Sequence, residues 1–89
     1  MPSFNMKSKH LQTLAAIFAK PTKANIRFGD IESLIKSRGG EIRESDGSRV
    51  VLELFGTREY VHRPHPGKGA KRYVVEKIRE WLSELKVTP

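Results

Sequence analysis

Apolar side chains return along this chain at two different spacings, and the change of spacing divides it. Over residues 8–19, Leu11, Leu14, Ala15 and Phe18 fall at i, i+3, i+4 and i+7, the stripe of an amphipathic helix that Pro21 closes. His10 lies beside that stripe and reads as a solvated side chain. Ile31, Leu34 and Ile35 repeat the helical spacing over about residues 29–38. Asp30 and Glu32 open this second helix, where they complement its dipole, and Gly39 and Gly40 follow its last turn.

The period then drops to two. Residues 41–44, 49–55 and 58–62 read as a three-strand meander, with turns at Asp46-Gly47 and Gly56-Thr57. Val50, Leu52 and Leu54 share one face of the middle strand, which leaves Arg49, Val51, Glu53 and Phe55 on the other. A two-residue Gly56-Thr57 loop pairs Phe55 with Arg58, Leu52 with Val61 and Val51 with His62, so that Val61 is buried and His62 is open. A three-residue loop of Ser45, Asp46 and Gly47 pairs Ile42 with Val50 and sends Ile42 into the core. The open face then carries Arg43, Arg49, Arg58, Tyr60 and His62, with Glu41 and Glu53 as its carboxylates, and Arg49 is the diagonal neighbour of His62. Such a face is either a solvated side of an antiparallel sheet or a functional surface.

Helical spacing returns over residues 70–86, where Val74, Ile78, Trp81, Leu82 and Leu85 form a stripe that closes the core, with Trp81 as an anchor. The predicted class is α+β, a three-stranded antiparallel sheet packed on helices. The 89 residues allow one domain, with its core at about 28–85. Residues 1–7 are expected to be disordered, with Met6 as a candidate start and 1–5 as an extension. No apolar run in the first ten residues suits a signal peptide or membrane span, and cysteine is absent, so a cytoplasmic protein is expected.

Charge changes the picture most. Seventeen Lys and Arg against ten Asp and Glu give a net charge of +7, which favours a polyanionic partner such as nucleic acid, a membrane surface or an acidic protein. Residues 60–69, YVHRPHPGKG, gather two of the three histidines with Arg63 and Lys68 at a strand-to-helix junction. Pro64 and Pro66 stiffen this corner, and Gly67 and Gly69 would let backbone approach a ligand. Lys68, Lys71 and Arg72 precede or open the last helix, where cations oppose its dipole and local stability does not call for them. Phosphate contact does, by these side chains and by free backbone N–H groups.

Phosphate-cradling glycine loops, an HExxH site, a nucleophile elbow and a calcium loop are all missing. His62 and His65 stand three apart in extended backbone broken by prolines, a poor metal pair, so neither metal nor cofactor is expected. A histidine beside an arginine suits metal-free RNA cleavage. The histidine takes the 2′-hydroxyl proton, and the arginine stabilises charge on the phosphorane.

The Gly47-Ser48 strand start, the His65-Pro66-Gly67-Lys68 element and the amphipathic helix after it resemble the HicA toxins, small mRNA interferases of toxin-antitoxin pairs. The resemblance implies a double-stranded-RNA-binding-like fold with an added N-terminal helix. It also implies translation-independent mRNA cleavage, a HicB-type antitoxin as partner, no membrane, and DNA only indirectly through the antitoxin. Members usually place a catalytic histidine directly after the glycine-serine pair, where this chain has Arg49 and Val50. His62, reached from the neighbouring strand, is read as its replacement, with Arg49 as electrostatic partner. Arg43, Arg58, Tyr60, Arg63, His65, Lys68, Lys71 and Arg72 are the expected RNA contacts. A non-catalytic RNA-binding module, or an inactive toxin that only binds its antitoxin, are the other readings.

Overall fold

The computed structural model describes residues 8–89, in the order α1 (Ser8–Phe18), α2 (Phe28–Ser37), β1 (Glu41–Glu44), β2 (Arg49–Leu54), β3 (Thr57–His62) and α3 (Arg72–Glu84). The reading of Met6 as a start, and of residues 1–7 as disordered, lies outside the described residues. The α+β architecture is as expected: β2 is the centre of an antiparallel sheet ordered β1-β2-β3. On one face of the sheet α2 packs against β1 and β2 and α3 against β3, while α1 lies across α2 and α3. Val50, Leu52, Leu54 and Val61 meet Ile31, Leu34, Ile35, Val75 and Ile78 in the core between them.

Both hairpins are shifted by two residues from the expected registers. In the second, Leu54 pairs with Thr57, Val50 with Val61 and Arg49 with His62. The loop is therefore Phe55-Gly56, with φ 52° and 78° respectively, and not Gly56-Thr57. A two-residue loop of this hand needs φ > 0 at both positions, and β-branched Thr57 tolerates that region worse than Phe55 does. Thr57 instead closes the hairpin: its hydroxyl donates to Leu54 O at 2.8 Å and accepts the Trp81 indole N–H at 2.9 Å. Trp81 is thus a core anchor with its polar edge satisfied. In the first hairpin Ile42 pairs with Leu52, and Ser45 N–H donates to Arg49 O at 2.9 Å, leaving residues 46–48 as the loop with Gly47 left-handed. A slip of two preserves the faces, so Ile42 and Val61 still turn to the core and His62 still faces out.

The stripe of α1 is rotated from the expected one. Thr13, Leu14 and Ile17 are buried, whereas Leu11 is 49% exposed and Ala15 is exposed. Thr13 tolerates burial because its hydroxyl donates to Lys9 O at 3.0 Å. His10 is also not simply solvated: the residue is half-buried and its Nδ1 is buried without a hydrogen-bond partner among the described residues.

The end of α1 is tied to α3 by Arg79, which donates to Ile17 O at 2.8 Å, Ala19 O at 3.2 Å and Thr22 Oγ1 at 2.8 Å. Carbonyls at a helix C-terminus lack intrahelical donors, and a guanidinium supplies them. Farther along the same connection, an antiparallel bridge pairs Ile26 with Ala70. Asn25 N–H donates to Ala70 O at 3.2 Å, and Ala70 N–H to Ile26 O at 2.8 Å. Gly69 is packed so closely here that a Cβ would overlap the Asn25 backbone, so this glycine serves contact between chain segments and not approach of a ligand.

Candidate nucleic-acid cleft

His62 and His65 line one cleft of about 750 Å³, together with Ser48, Lys68, Lys71, Arg72, Tyr73 and Asn25. Five parts of the chain meet here: the first hairpin loop, the end of β3, the junction before α3, the first turn of α3 and the α1–α2 connection. The junction is shaped by a turn in which Lys68 N–H donates to His65 O at 3.0 Å and Gly67 has φ 82°, with Pro66 ahead of it. Proline then glycine at the two central positions of a turn is the chemistry of type II. The helix starts later than expected, at Arg72 with Lys71 as N-cap, and no side-chain hydrogen bond caps it.

Arg49 stands directly across from His62, not diagonally, so their side chains are close neighbours on the open face. The Arg49 guanidinium lies over the Tyr60 ring, 6.0 Å from its centroid. Ser48 Oγ is 3.3 Å from His62 Nδ1. With the proton on Nδ1, Ser48 accepts and Nε2 is left free.

The expected RNA contacts divide by what they touch. Arg43 reaches Glu41 and Glu53, each at 3.1 Å, and Arg58 reaches Glu53 at 2.8 Å, so these two cations neutralise one another's carboxylate partner away from the cleft. The side chain of Tyr60, then the Glu53 carboxylate, raises Arg58 above the ordinary arginine value. Arg63, one residue past His62, turns to the helix side. It pairs with Glu32 and Glu44 at 2.7 Å each and lies over the Phe28 ring at 6.0 Å. Glu32 first and Glu44 second raise its guanidinium above the ordinary value. Arg63 is thus committed to holding β3 and β1 against α2, and because α2 begins at Phe28 only Asp30 lies in its first turn, so Glu32 serves that ion pair and not, as expected, the helix dipole.

Arg49, Lys68, Lys71 and Arg72 have no carboxylate partner among the described residues. Arg72 is held at the cleft wall by donating to Thr22 O at 3.2 Å. Val51 is another departure from the expected polar face: it is nearly buried there, beneath its cross-strand partners Arg43 and Tyr60.

Residues 28–87 match the family described as HicA toxin of bacterial toxin-antitoxin. The chain belongs to the HicA toxin family. The matched region contains the sheet, α2, α3 and the histidine corner, whereas α1 and the connection that supplies Asn25 precede it. No curated protein and no solved structure matches the chain. Among the described residues, no helix of this HicA protein is long and apolar enough to cross a membrane. Nor is any group of three His, Cys, Asp or Glu side chains gathered there as a metal site.

Ser48, Tyr73 and Asn25 are cleft residues that sequence reasoning missed. Tyr73 left a signal: it is a large aromatic one position ahead of the apolar stripe that begins at Val74. Asn25 left none, because only the Ile26–Ala70 bridge brings it to the site.

Proposed function

We propose that this HicA protein is the toxin of a toxin-antitoxin pair and an endoribonuclease that cleaves mRNA without a metal ion. The observation that carries this reading is the juxtaposition of His62 with Arg49 at a cleft whose lysines lack carboxylate partners. His62 Nε2 removes the proton from a 2′-hydroxyl while Nδ1–H donates to Ser48 Oγ. The 2′-oxygen attacks the adjacent phosphorus, the bond from phosphorus to the 5′-oxygen breaks, and that oxygen leaves with a proton taken from water, while the proton held by His62 returns to solvent. The products are a 2′,3′-cyclic phosphate and a 5′-hydroxyl. Arg49, steadied over Tyr60, stabilises the negative charge that develops on the phosphoryl oxygens, and Lys68, Lys71 and Arg72 hold flanking phosphates.

The position of His62 across from Arg49 is what supports its taking the place of the histidine expected after the glycine-serine pair. A HicB-type antitoxin covering this cleft in the cytoplasm would silence the enzyme, and DNA would be met only through that partner. The test is cleavage of RNA by the purified protein in EDTA. Cyclic phosphate products are expected, with a rate about 10²–10⁴-fold lower in His62→Ala, the usual contribution of acid–base catalysis. Unchanged cleavage in that variant, with loss in His65→Ala, would move the catalytic role to His65. RNA bound tightly and left intact by the wild type would mark a binding module, a reading favoured by arginine standing where the family usually has histidine.

A further inference from the structure

Tyr73 is a large aromatic side chain that the core does not use. The apolar face of α3 is supplied by Val74, Val75, Ile78, Trp81 and Leu82, while Tyr73 is 55% exposed and lines the cleft that contains His62. Its hydroxyl has no side-chain hydrogen bond among the described residues.

Asn25 lines the same cleft and is held left-handed at φ 67°. Asparagine tolerates that region better than most residues, but the conformation is imposed by tertiary contact. Its N–H is fixed by Ala70 O, and its backbone is pressed against Gly69. The Asn25 side-chain amide makes no hydrogen bond among the described residues, so it retains donors and an acceptor to offer from a backbone held in place. Lys68 and Lys71, on the same cleft and without carboxylate partners, supply attraction for the backbone of a polyanion.

An exposed aromatic ring, an unpaired amide on an anchored backbone and unpaired cations are together what an unstacked nucleobase needs. The ring takes the base face, the amide reads a base edge and the cations hold the phosphates. In a duplex the bases are stacked on each other, and neither face is free for Tyr73. We propose that Tyr73 and Asn25 form a nucleobase subsite of this cleft, which makes single-stranded RNA its ligand and the base seated on Tyr73 a determinant of where the strand lies. The proposal rests on the reading that the cleft holds RNA, but not on cleavage.

The experiment measures fluorescence anisotropy of a labelled 2′-fluoro octanucleotide, which lacks the attacking 2′-hydroxyl and cannot be cut by the proposed route. It is compared as a single strand and as a duplex. Wild type is expected to bind the single strand at least tenfold more tightly than the duplex. Tyr73→Ala should weaken single-strand binding about tenfold, while Tyr73→Phe keeps it within twofold and Asn25→Ala changes the preference among bases. An abasic scan of the octamer should find one position where base removal weakens wild type but has little further effect on Tyr73→Ala. Unaltered single-strand affinity in Tyr73→Ala, or equal affinity for duplex and single strand, overturns the subsite. If binding depends on Tyr73 while all-ribose RNA of the same sequence stays intact, the subsite stands and the nuclease reading falls. If that RNA is cut in a His62-dependent way but Tyr73→Ala binds normally, the subsite falls alone.

Discussion

The two ends of the open sheet face are built from the same residue types and pair their charges differently. At the end near the Phe55-Gly56 loop, Arg43 and Arg58 converge on Glu53, with Glu41 beside Arg43, so the charges cancel within the sheet. At the end near the 46–48 loop, Arg49 faces His62 and lies over Tyr60 without a carboxylate partner, and the junction and helix start bring Lys68 and Lys71 to the cleft that His62 lines. A net charge of +7 describes the chain but not either end. What separates an internally neutralised sheet surface from one with unpaired cations here is where Glu53 falls. An anion must displace a carboxylate from Arg43 and Arg58, whereas nothing needs displacing at Arg49, Lys68 or Lys71.

The strongest challenge to this contrast is a pair of double variants compared for RNA affinity over a range of salt. Lys68→Gln with Lys71→Gln should weaken binding tenfold or more and lower the salt slope by about 1.4, at about 0.7 per single-strand phosphate contact. Arg43→Gln with Arg58→Gln should stay within about threefold. Equal losses from the two pairs would erase the distinction between the two ends.

Arg63 sharpens the contrast from the stability side, since it lies by the cleft yet is held by Glu32 and Glu44. Arg63→Met, which keeps an unbranched apolar side chain but removes both ion pairs and the guanidinium over Phe28, should lower stability by about 1–2 kcal/mol, a fall in Tm of roughly 5–15 °C for a chain of this size. RNA affinity should stay within twofold. A large loss of RNA binding with unchanged Tm would show that Arg63 works as a phosphate contact. No pH dependence near neutrality is expected from its guanidinium. Because the guanidinium is raised above its ordinary value, its contribution is fully present at every pH below the ordinary arginine range and is lost only as pH rises through the folded value.

The smallest effect is expected at the far tip. Phe55 is 58% exposed and left-handed at φ 52°, a region that disfavours a bulky side chain. Phe55→Asn should raise stability by about 1 kcal/mol in a denaturant titration and leave RNA binding and cleavage unaltered. A loss of cleavage in that variant would place a functional contact at the end of the sheet assigned here to structure alone.

Much of this protein was legible from periodicity. Three helices, the meander, and the inward or outward direction of Ile42, Val61 and His62 all follow from spacings of about 3.6 and 2, which report the side of an element that meets the core. The HPGK element and the strand start before it carried the family, and the match over residues 28–87 bears that out. The hairpin registers were not legible in the same way. A slip of two leaves every residue on its face, so burial cannot distinguish the alternatives, and the choice fell to turn stereochemistry at Phe55-Gly56 and to the Trp81–Thr57 hydrogen bond. That slip turned Arg49 from a diagonal into a direct neighbour of His62.

Pairing of charges was equally beyond a one-dimensional reading. Arg63 is only one residue from His62, yet its partners come from positions 32 and 44, and strand alternation sends the two side chains to opposite sides of the sheet. Asn25 reaches the cleft only through its bridge to the segment before α3. Local pattern determines which way a side chain faces. Which cations remain unpaired, and what closes the far wall of the cleft, depend on contacts between residues distant in the chain, and these exist only once the core has brought α1, the sheet and α3 together.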